Sequence, residues 1–283
     1  MFKKFFPIII FFILLICSCS PFKNNSFSKN DLEIHFIDVG QGDAILIHFN
    51  SKTLLIDSGP KESASSIIRH LNKYNVNTIN YLIATHPHED HIGNMAYIIK
   101  NFNILSFYSP KCKGSGKTYE NMIDALKYKK LKINVLKSSN SPISLDKDTS
   151  ITILSPDDKN FSDKNNLNNY SAVILLKYKN TSFLFTGDAE KEAEQNILAK
   201  HSNIKADVLK IGHHGSDSST TESFLKAISP SLAIISAGKD NPYGHPHKNT
   251  LKLLSKYKIK YLRTDIDGTI KIVSDGNRIK YFH

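Results

Sequence analysis

Cysteine is scarce in this chain. There are three in 283 residues, and two of them, Cys17 and Cys19, fall in the N-terminal segment. Cys112 alone remains for a folded domain, which excludes an internal disulfide and leaves no cysteine pair for a metal site. Long apolar runs are scarce too. Phe5 to Ile16 is apolar, but it is too short to span a bilayer comfortably. Acidic residues are outnumbered, 26 against 37 Lys and Arg, for a formal net charge of +11. A surplus of that sign suits an acidic partner such as nucleic acid, teichoic acid or a membrane surface. The lysines are scattered rather than gathered in a block, so a general lean towards Lys, Asn and Ile accounts for the surplus equally well. The remainder is ordinary for a globular protein, 40% apolar and 22% charged. The length allows one large domain or two small ones.

The N-terminal segment has the layout of a secretion signal: positive Lys3 and Lys4, the apolar stretch to Ile16, then Ile16-Cys17-Ser18-Cys19. That last stretch resembles a bacterial lipobox. Residues 1–18 are then a lipoprotein signal peptide, and Cys19 becomes the lipidated mature N-terminus. Cys17 fits less well, because Ile16 precedes it where a small residue is wanted. An uncleaved anchor is the rival reading. Both place the domain outside the cytoplasmic membrane. Residues 19–30, rich in Ser, Asn and Lys, read as a tether, and 31–283 as the folded part.

The densest chemistry lies in Thr85-His86-Pro87-His88-Glu89-Asp90-His91-Ile92-Gly93. Tyr81-Leu82-Ile83-Ala84 before it reads as a buried strand, so the histidines sit on a loop at a strand end. Pro87 keeps His86 extended. In an extended segment alternate residues point the same way, so His86 and His88 can share one metal. Asp90 and His91 follow where a helix can begin, and can hold a second metal from another angle. Imidazole with carboxylate suits zinc and its first-row neighbours.

Around this loop the pattern alternates strands and helices. Strands are expected at 32–37, 44–49, 53–56, 104–108, 151–154, 172–178, 182–185, 207–211, 231–236, 260–263, 269–273 and 278–281. Helices are expected at 62–74, 94–100, 119–130, 189–201, 220–228 and 249–257. Lys113-Gly114-Ser115-Gly116-Lys117-Thr118 imitates the end of a phosphate-binding loop, but Lys111 stands where that motif needs its first glycine. A weak internal repeat is visible. Leu54-Leu55-Ile56-Asp57, a helix, a strand and a histidine cluster return as Phe183 to Asp188, a helix, a strand and Gly212-His213-His214-Gly215-Ser216.

The HxHxDH spacing resembles the signature of the metallo-β-lactamase superfamily, whose members are αββα sandwiches with one or two metals at the edge of two packed sheets. The resemblance implies a single domain of that type over 31–283. It makes Asp188, in Thr186-Gly187-Asp188, the carboxylate bridging both metals, although an Asp there also suits a helix cap. His86, His88 and Asp188 would hold one ion. Asp90, His91, Asp188 and one of His213 and His214 would hold the other, with His214 favoured and its neighbour turned to substrate or solvent. Asp57 would orient ligands from behind. One departure stands out: the region Leu167 to Ser171 lacks the further histidine most members carry. The first metal then keeps an open position, and manganese is admitted beside zinc.

Asp38-Val39-Gly40-Gln41-Gly42-Asp43, Gly212 to Ser216 and Asn241-Pro242-Tyr243-Gly244-His245-Pro246-His247 narrow the resemblance. Together they look like the metallo-hydrolase domain of the competence protein ComEC, a DNA-uptake channel, and its stand-alone relatives. They also look like the pneumococcal phosphorylcholine esterase domain. The resemblance implies a phosphodiesterase or nuclease-like enzyme with two divalent ions, acting on DNA or another extracytoplasmic phosphodiester. Asp90, His245, Tyr243 and His213 are the candidate catalytic groups. His245 would stabilise developing charge. Tyr243, or whichever of His213 and His214 is not a ligand, would donate a proton or grip a phosphate oxygen. Asp43 would support ligands from behind, as Asp57 does, and close one wall. Two alternatives remain: a β-lactam, lactone or thioester hydrolase of the same fold, and a non-catalytic lipid-anchored binding protein. Ring-opening members usually keep the missing histidine, and the full ligand set argues against a mere binder.

Overall fold

The computed structural model describes residues 30–140, 143–157 and 161–283. Cys17, Cys19, the expected signal peptide and nearly all of the tether lie outside the described residues. In chain order the strands are β1 Leu32–Phe36, β2 Ile45–Phe49, β3 Lys52–Ile56, β4 Thr78–Ile83, β5 Asn103–Pro110, β6 Ile133–Leu136, β7 Ser139–Asn140 and β8 Thr149–Ser155. They continue with β9 Val173–Tyr178, β10 Thr181–Phe185, β11 Val208–Lys210, β12 Leu232–Ile235, β13 Lys260–Arg263, β14 Ile270–Ser274 and β15 Ile279–Phe282. The helices are α1 Ala64–Lys73, α2 Glu89–Ile92, α3 Met95–Asn101, α4 Gly116–Tyr128, α5 Lys191–Lys200, α6 Glu222–Ile228, α7 Lys248–Lys256 and α8 Thr264–Asp267.

Two sheets form. One runs β15-β14-β1-β2-β3-β4-β5-β6, the other β13-β12-β11-β10-β9-β8-β7. Strand composition follows position. Leu32-Glu33-Ile34-His35-Phe36 is buried at every residue, because both faces of β1 are covered. At the edge, β6 exposes Ile133, Asn134 and Val135. Between the sheets lies one apolar layer, where Phe36 meets Phe185 and Phe49 meets Tyr178 at ring separations of 6.1 and 4.6 Å. A second layer packs α1, α3 and α4 on the first sheet through Ile67, Leu71, Ile98 and Met122. A third packs α5, α6 and α7 on the other through Ile197, Phe224 and Leu254. The result is the expected αββα sandwich in a single domain.

The internal repeat is structural. β3 and β4 pair in parallel across α1, and β10 and β11 pair in parallel across α5. Functional groups of open α/β sheets gather beyond the carboxyl ends of parallel strands. Here Asp57 follows β3, the His86–His91 loop follows β4, Asp188 follows β10, and His213-His214 follows β11.

Four local expectations change. The sequence pattern gives no sign of β6, whose exposed edge position needs no alternation. The helix expected from Tyr119 begins at Gly116. The histidine loop closes with its own helical turn, α2, ahead of the helix expected at 94. The short helix α8 lies where the pattern showed none. The glycines of the false phosphate loop have a packing role. A Cβ at Gly114 would come within 2.6 Å of Pro87 and 2.8 Å of Tyr119, so the bare backbone lets this segment lie against the histidine loop.

Candidate metal centre

Asp57 organises the centre from beneath. It is fully buried, and its carboxylate accepts from the Thr85 amide at 2.7 Å and the Thr85 hydroxyl at 2.6 Å. It also takes the Nδ1 proton of His91 at 2.8 Å. That contact fixes the tautomer and leaves His91 Nε2 bare. His214 is set the same way: its Nδ1 donates to the Ser236 carbonyl at 2.9 Å, which frees Nε2.

The bare nitrogens converge on two carboxylates. His91 Nε2 lies 3.2 Å from Asp188 Oδ1 and 3.9 Å from Asp90 Oδ2. His214 Nε2 lies 3.2 Å from Asp90 Oδ2 and 3.5 Å from Asp188 Oδ2. A second cluster adjoins it, with His86 Nε2 3.0 Å from His88 Nδ1 and 3.8 Å from Asp188 Oδ2. Ligands bonded tetrahedrally at about 2.1 Å stand about 3.4 Å apart, so Asp90, His91, Asp188 and His214 have the dimensions of a metal cage, and His86 stands at a ligand-to-ligand distance from both His88 and Asp188. The donors also fit a cation chemically. His91 Nε2 and Asp188 Oδ1 are buried and have no hydrogen-bond partner among the described residues. Lone pairs facing each other in a dry site need positive charge between them.

The local field says the same. Burial works against charge on His91, but Asp188, Asp90 and Asp57 outweigh it and raise its pKa well above the usual histidine range. Burial likewise opposes His214, and Asp188, Asp90 and Asp43 reverse it, raising its pKa to about 10. On Asp188 the order is repeated: burial raises its pKa, and His214 and His91 together bring it well below the ordinary carboxylate value. A site with this demand for positive charge suits a divalent ion, which would replace those protons.

The structure brings the expected ligands and cavity groups together and changes details at His213, His214 and Asp43. The exit from β11 is a tight turn: His213 (φ 47°, ψ 48°) and His214 (φ 53°, ψ 20°) are both left-handed, and both rings line the cavity. His214 is buried among the ligand atoms. His213 sits higher, with Nε2 3.8 Å from Asp188 Oδ2 and Nδ1 near Ser218 Oγ and Glu190 Oε1 at 3.0 and 3.2 Å.

Asp43 does not form a wall. It is buried beneath His214, with Oδ1 3.6 Å from His214 Nδ1, and its Oδ2 pairs with Lys210 Nζ at 2.8 Å. The wall comes from Gln41 on the same turn. Its Oε1 accepts from the Gly238 amide, and its Nε2 faces His245 Nδ1 at 3.4 Å. His245 Nδ1 is therefore an acceptor, and its proton sits on Nε2. Burial, then the charges of His214, His213 and His247, push the His245 pKa down to about 4, so it is a neutral N–H donor at pH 7. Tyr243 is 63% exposed and stacks on His245 at 5.6 Å. It belongs to the rim. His247 points elsewhere and accepts from the Asp217 amide. The cavity these groups enclose measures about 340 Å³ and includes His88, Asp90, Asn168 and Asp188.

Sequence reasoning missed Lys210, Gln41, Asn168 and Glu190. One signal was available: Lys210 interrupts the otherwise apolar Val208-Leu209-Lys210-Ile211, and a lysine there has to be paired or exposed.

Comparison with known proteins agrees with this geometry. The model of the "Metallo-beta-lactamase superfamily" matches residues 37–239. "ComE operon protein 3" of Bacillus subtilis (strain 168) is 34% identical over 281 residues, covering 93% of this chain and 34% of that protein. "Recombination protein 2" of Haemophilus influenzae is 32% identical over 271 residues, covering 93% of this chain and 31% of that protein. The chain thus spans about a third of these relatives. Among solved structures, the metallo-beta-lactamase fold protein YhfI from Bacillus subtilis superposes with a TM-score of 0.55 at 12% identity, over 90% of this chain and 100% of that one, a likeness of fold alone. With its family model matched over residues 37–239, and with the His and Asp cluster at the edge of its two sheets, this chain belongs to the metallo-beta-lactamase superfamily of metal-dependent hydrolases.

Proposed function

We propose that the chain is a two-metal phosphodiesterase that cleaves DNA or another phosphodiester outside the cytoplasmic membrane, where a lipid on Cys19 holds it. The observation that carries this reading is the cluster of Asp90, His91, Asp188 and His214, with His86 and His88 beside Asp188, beneath a cavity with a neutral N–H donor at its side. His86, His88 and Asp188 would hold one ion, and Asp90, His91, His214 and Asp188 the other. Zinc and manganese both suit the set. Bound ions supply an activated water at neutral pH and offset the charge on phosphoryl oxygens.

The protein's own groups do the rest. His245 donates its Nε2 proton to a phosphoryl oxygen, held in that tautomer by Gln41. His213, anchored through Nδ1, aims Nε2 at the same space. Tyr243 offers an exposed aromatic face at the rim. Phosphorus is preferred to carbonyl carbon because the further histidine that ring-opening members usually keep is absent and the net charge is +11. The name of one relative, a recombination protein, adds nucleic acid to the same side.

The test is a substrate panel with the metal content measured alongside. Bis(p-nitrophenyl) phosphate or DNA is hydrolysed in zinc or manganese, and nitrocefin and lactones are left nearly intact. DNA binding weakens steeply with salt. Robust lactam or lactone turnover without phosphodiester cleavage overturns the assignment. Within the same assay, His245→Ala lowers turnover about 100-fold and leaves the bound metal unchanged, because His245 serves the substrate and not the ions. Loss of metal in step with turnover would move His245 into the cage.

The anchor has its own test. Cys19→Ala abolishes lipid labelling and processing, and Cys17→Ala leaves both intact. Labelling that survives the loss of Cys19 removes this part of the reading. Among the described residues no helix is long and apolar enough to cross a membrane.

A further inference from the structure

The first cage has three donors, His86 Nε2, His88 Nδ1 and Asp188 Oδ2, and a tetrahedral ion takes four. No histidine is available between the His86–His91 loop and Asp188 to supply the fourth. The chain brings a different side chain to that edge. Asn168 lies in the short turn Leu167–Tyr170, is 9% exposed, and lines the cavity beside His88.

The two ends of its amide are not interchangeable. Nδ2 donates to Glu190 Oε1 at 3.0 Å. A carboxylate accepts, so the NH2 group must face it, and the carbonyl must face the other way. That carbonyl oxygen is buried and has no hydrogen-bond partner among the described residues. Asn168 lies against His88 and is among the groups that raise that imidazole's pKa, so the two side chains share one edge of the cavity.

The orphan oxygen is held there by construction. Asn166 Oδ1 accepts from the Asn168 amide at 3.2 Å, and the Ser171 amide donates to the Asn168 carbonyl at 2.9 Å. Asn169 Oδ1 accepts from the amides of Glu190 and Ala193, which fastens the turn to the start of α5. Glu190 takes further hydrogen bonds from Asn166 Nδ2 at 2.7 Å and Ser218 Oγ at 3.1 Å, with His213 Nδ1 at 3.2 Å. One carboxylate thus ties the asparagine turn to the histidine turn. Substrate is the wrong partner for the free oxygen. A phosphodiester presents acceptors, and an acceptor facing an acceptor repels. A cation is a partner that this oxygen and the neighbouring imidazole of His88 can serve together.

We propose that Asn168 Oδ1 is a ligand of the first metal, in place of the histidine this sequence lacks, and that Glu190 is the positioning residue that aims it. The inference rests on the two-metal reading above.

The test is a titration of the metal-stripped full chain with Co²⁺, read by its visible absorption, which reports both affinity and coordination number. The wild-type chain takes up two equivalents. Asn168→Ala weakens one of the two sites by about 10- to 100-fold and leaves the other alone. At saturating cobalt its spectrum still differs from wild type, because a ligand is missing. Asn168→Asp, which offers an oxygen at the same place, restores affinity and band shape. A spectrum unchanged at saturation would mean that Asn168 only orients His88, and would overturn the proposal. Equal weakening in both variants would mean that the residue only holds the loop, and would overturn it as well. Two equivalents bound equally well by wild type and Asn168→Ala would refute the inference and leave the two-metal reading intact. A wild-type chain that takes up fewer than two equivalents ends both.

Discussion

Asp188→Ala is expected to strip the centre of metal and to bring turnover down by roughly 1,000-fold or more. The size of the effect follows from where the carboxylate stands. Oδ1 lies 3.2 Å from His91 Nε2, and Oδ2 lies 3.5 Å from His214 Nε2 and 3.8 Å from His86 Nε2. It is the carboxylate that faces both cages; Asp90 faces one. The position is set by backbone, since the Asp188 amide donates to Ser171 Oγ and Gly187 is in a left-handed turn (φ 51°). Losing the side chain therefore leaves its surroundings in place. Metal content after dialysis, measured beside phosphodiester turnover, checks this. His88→Ala is the comparison: it takes one donor from one cage and leaves the other intact. An Asp188→Ala chain with full metal and full activity would rule out the bridging role.

Lys210→Met is expected to cost about 3–5 kcal/mol of stability, in the range found when one member of a buried ion pair is removed. Lys210 is wholly buried. Its Nζ is 2.8 Å from Asp43 Oδ2 and donates to the Ile211 carbonyl at 2.9 Å. Without the ammonium group Asp43 keeps a charge in a dry site, where its Oδ1 has no hydrogen bond among the described residues. The penalty belongs to the stranded charge, so removing both charges should relieve most of it. Asp43→Asn with Lys210→Met is then closer to wild type than Lys210→Met alone. Denaturant titration of the metal-stripped full chain measures all three. If Lys210→Met shifts stability by no more than about 0.5 kcal/mol, as a surface change does, the pair is not holding this part of the fold. Asp43 also lies beneath His214, so the single variant is expected to weaken metal uptake at the second cage.

Much of this was readable in the residues, because the informative signals were local. His86, His88, Asp90 and His91 sit close together in the chain, and extended backbone at His88 followed by a helical turn at Glu89 suffices to aim them. The repeat of apolar strand, acid, helix and histidines located Asp57 and Asp188. What could not be read depends on distant partners. Glu190 looks like an ordinary acid at a helix start, and its task appears once Asn168, Ser218 and His213 arrive from two other segments. Lys210 looks like one more lysine in a lysine-rich chain until Asp43 is placed against it. The left-handed turn at His213 and His214 carries no asparagine or glycine at those two positions, so its dihedrals are imposed by the packing around it.

The division of donors between the two sheets sets an order in time. His86 to His91 leave from the first sheet, Asp188 and His214 from the second, and His214 comes 123 positions after His91. A chain emerging from its N-terminus has the histidine loop early and no enclosed site to put it in. A fragment ending before Gly212 lacks part of the second cage, and one ending before Asn241 lacks the Gln41–His245 contact as well. The chain therefore completes its metal centre late, when most of its length has already found its place, and truncated copies are left without it.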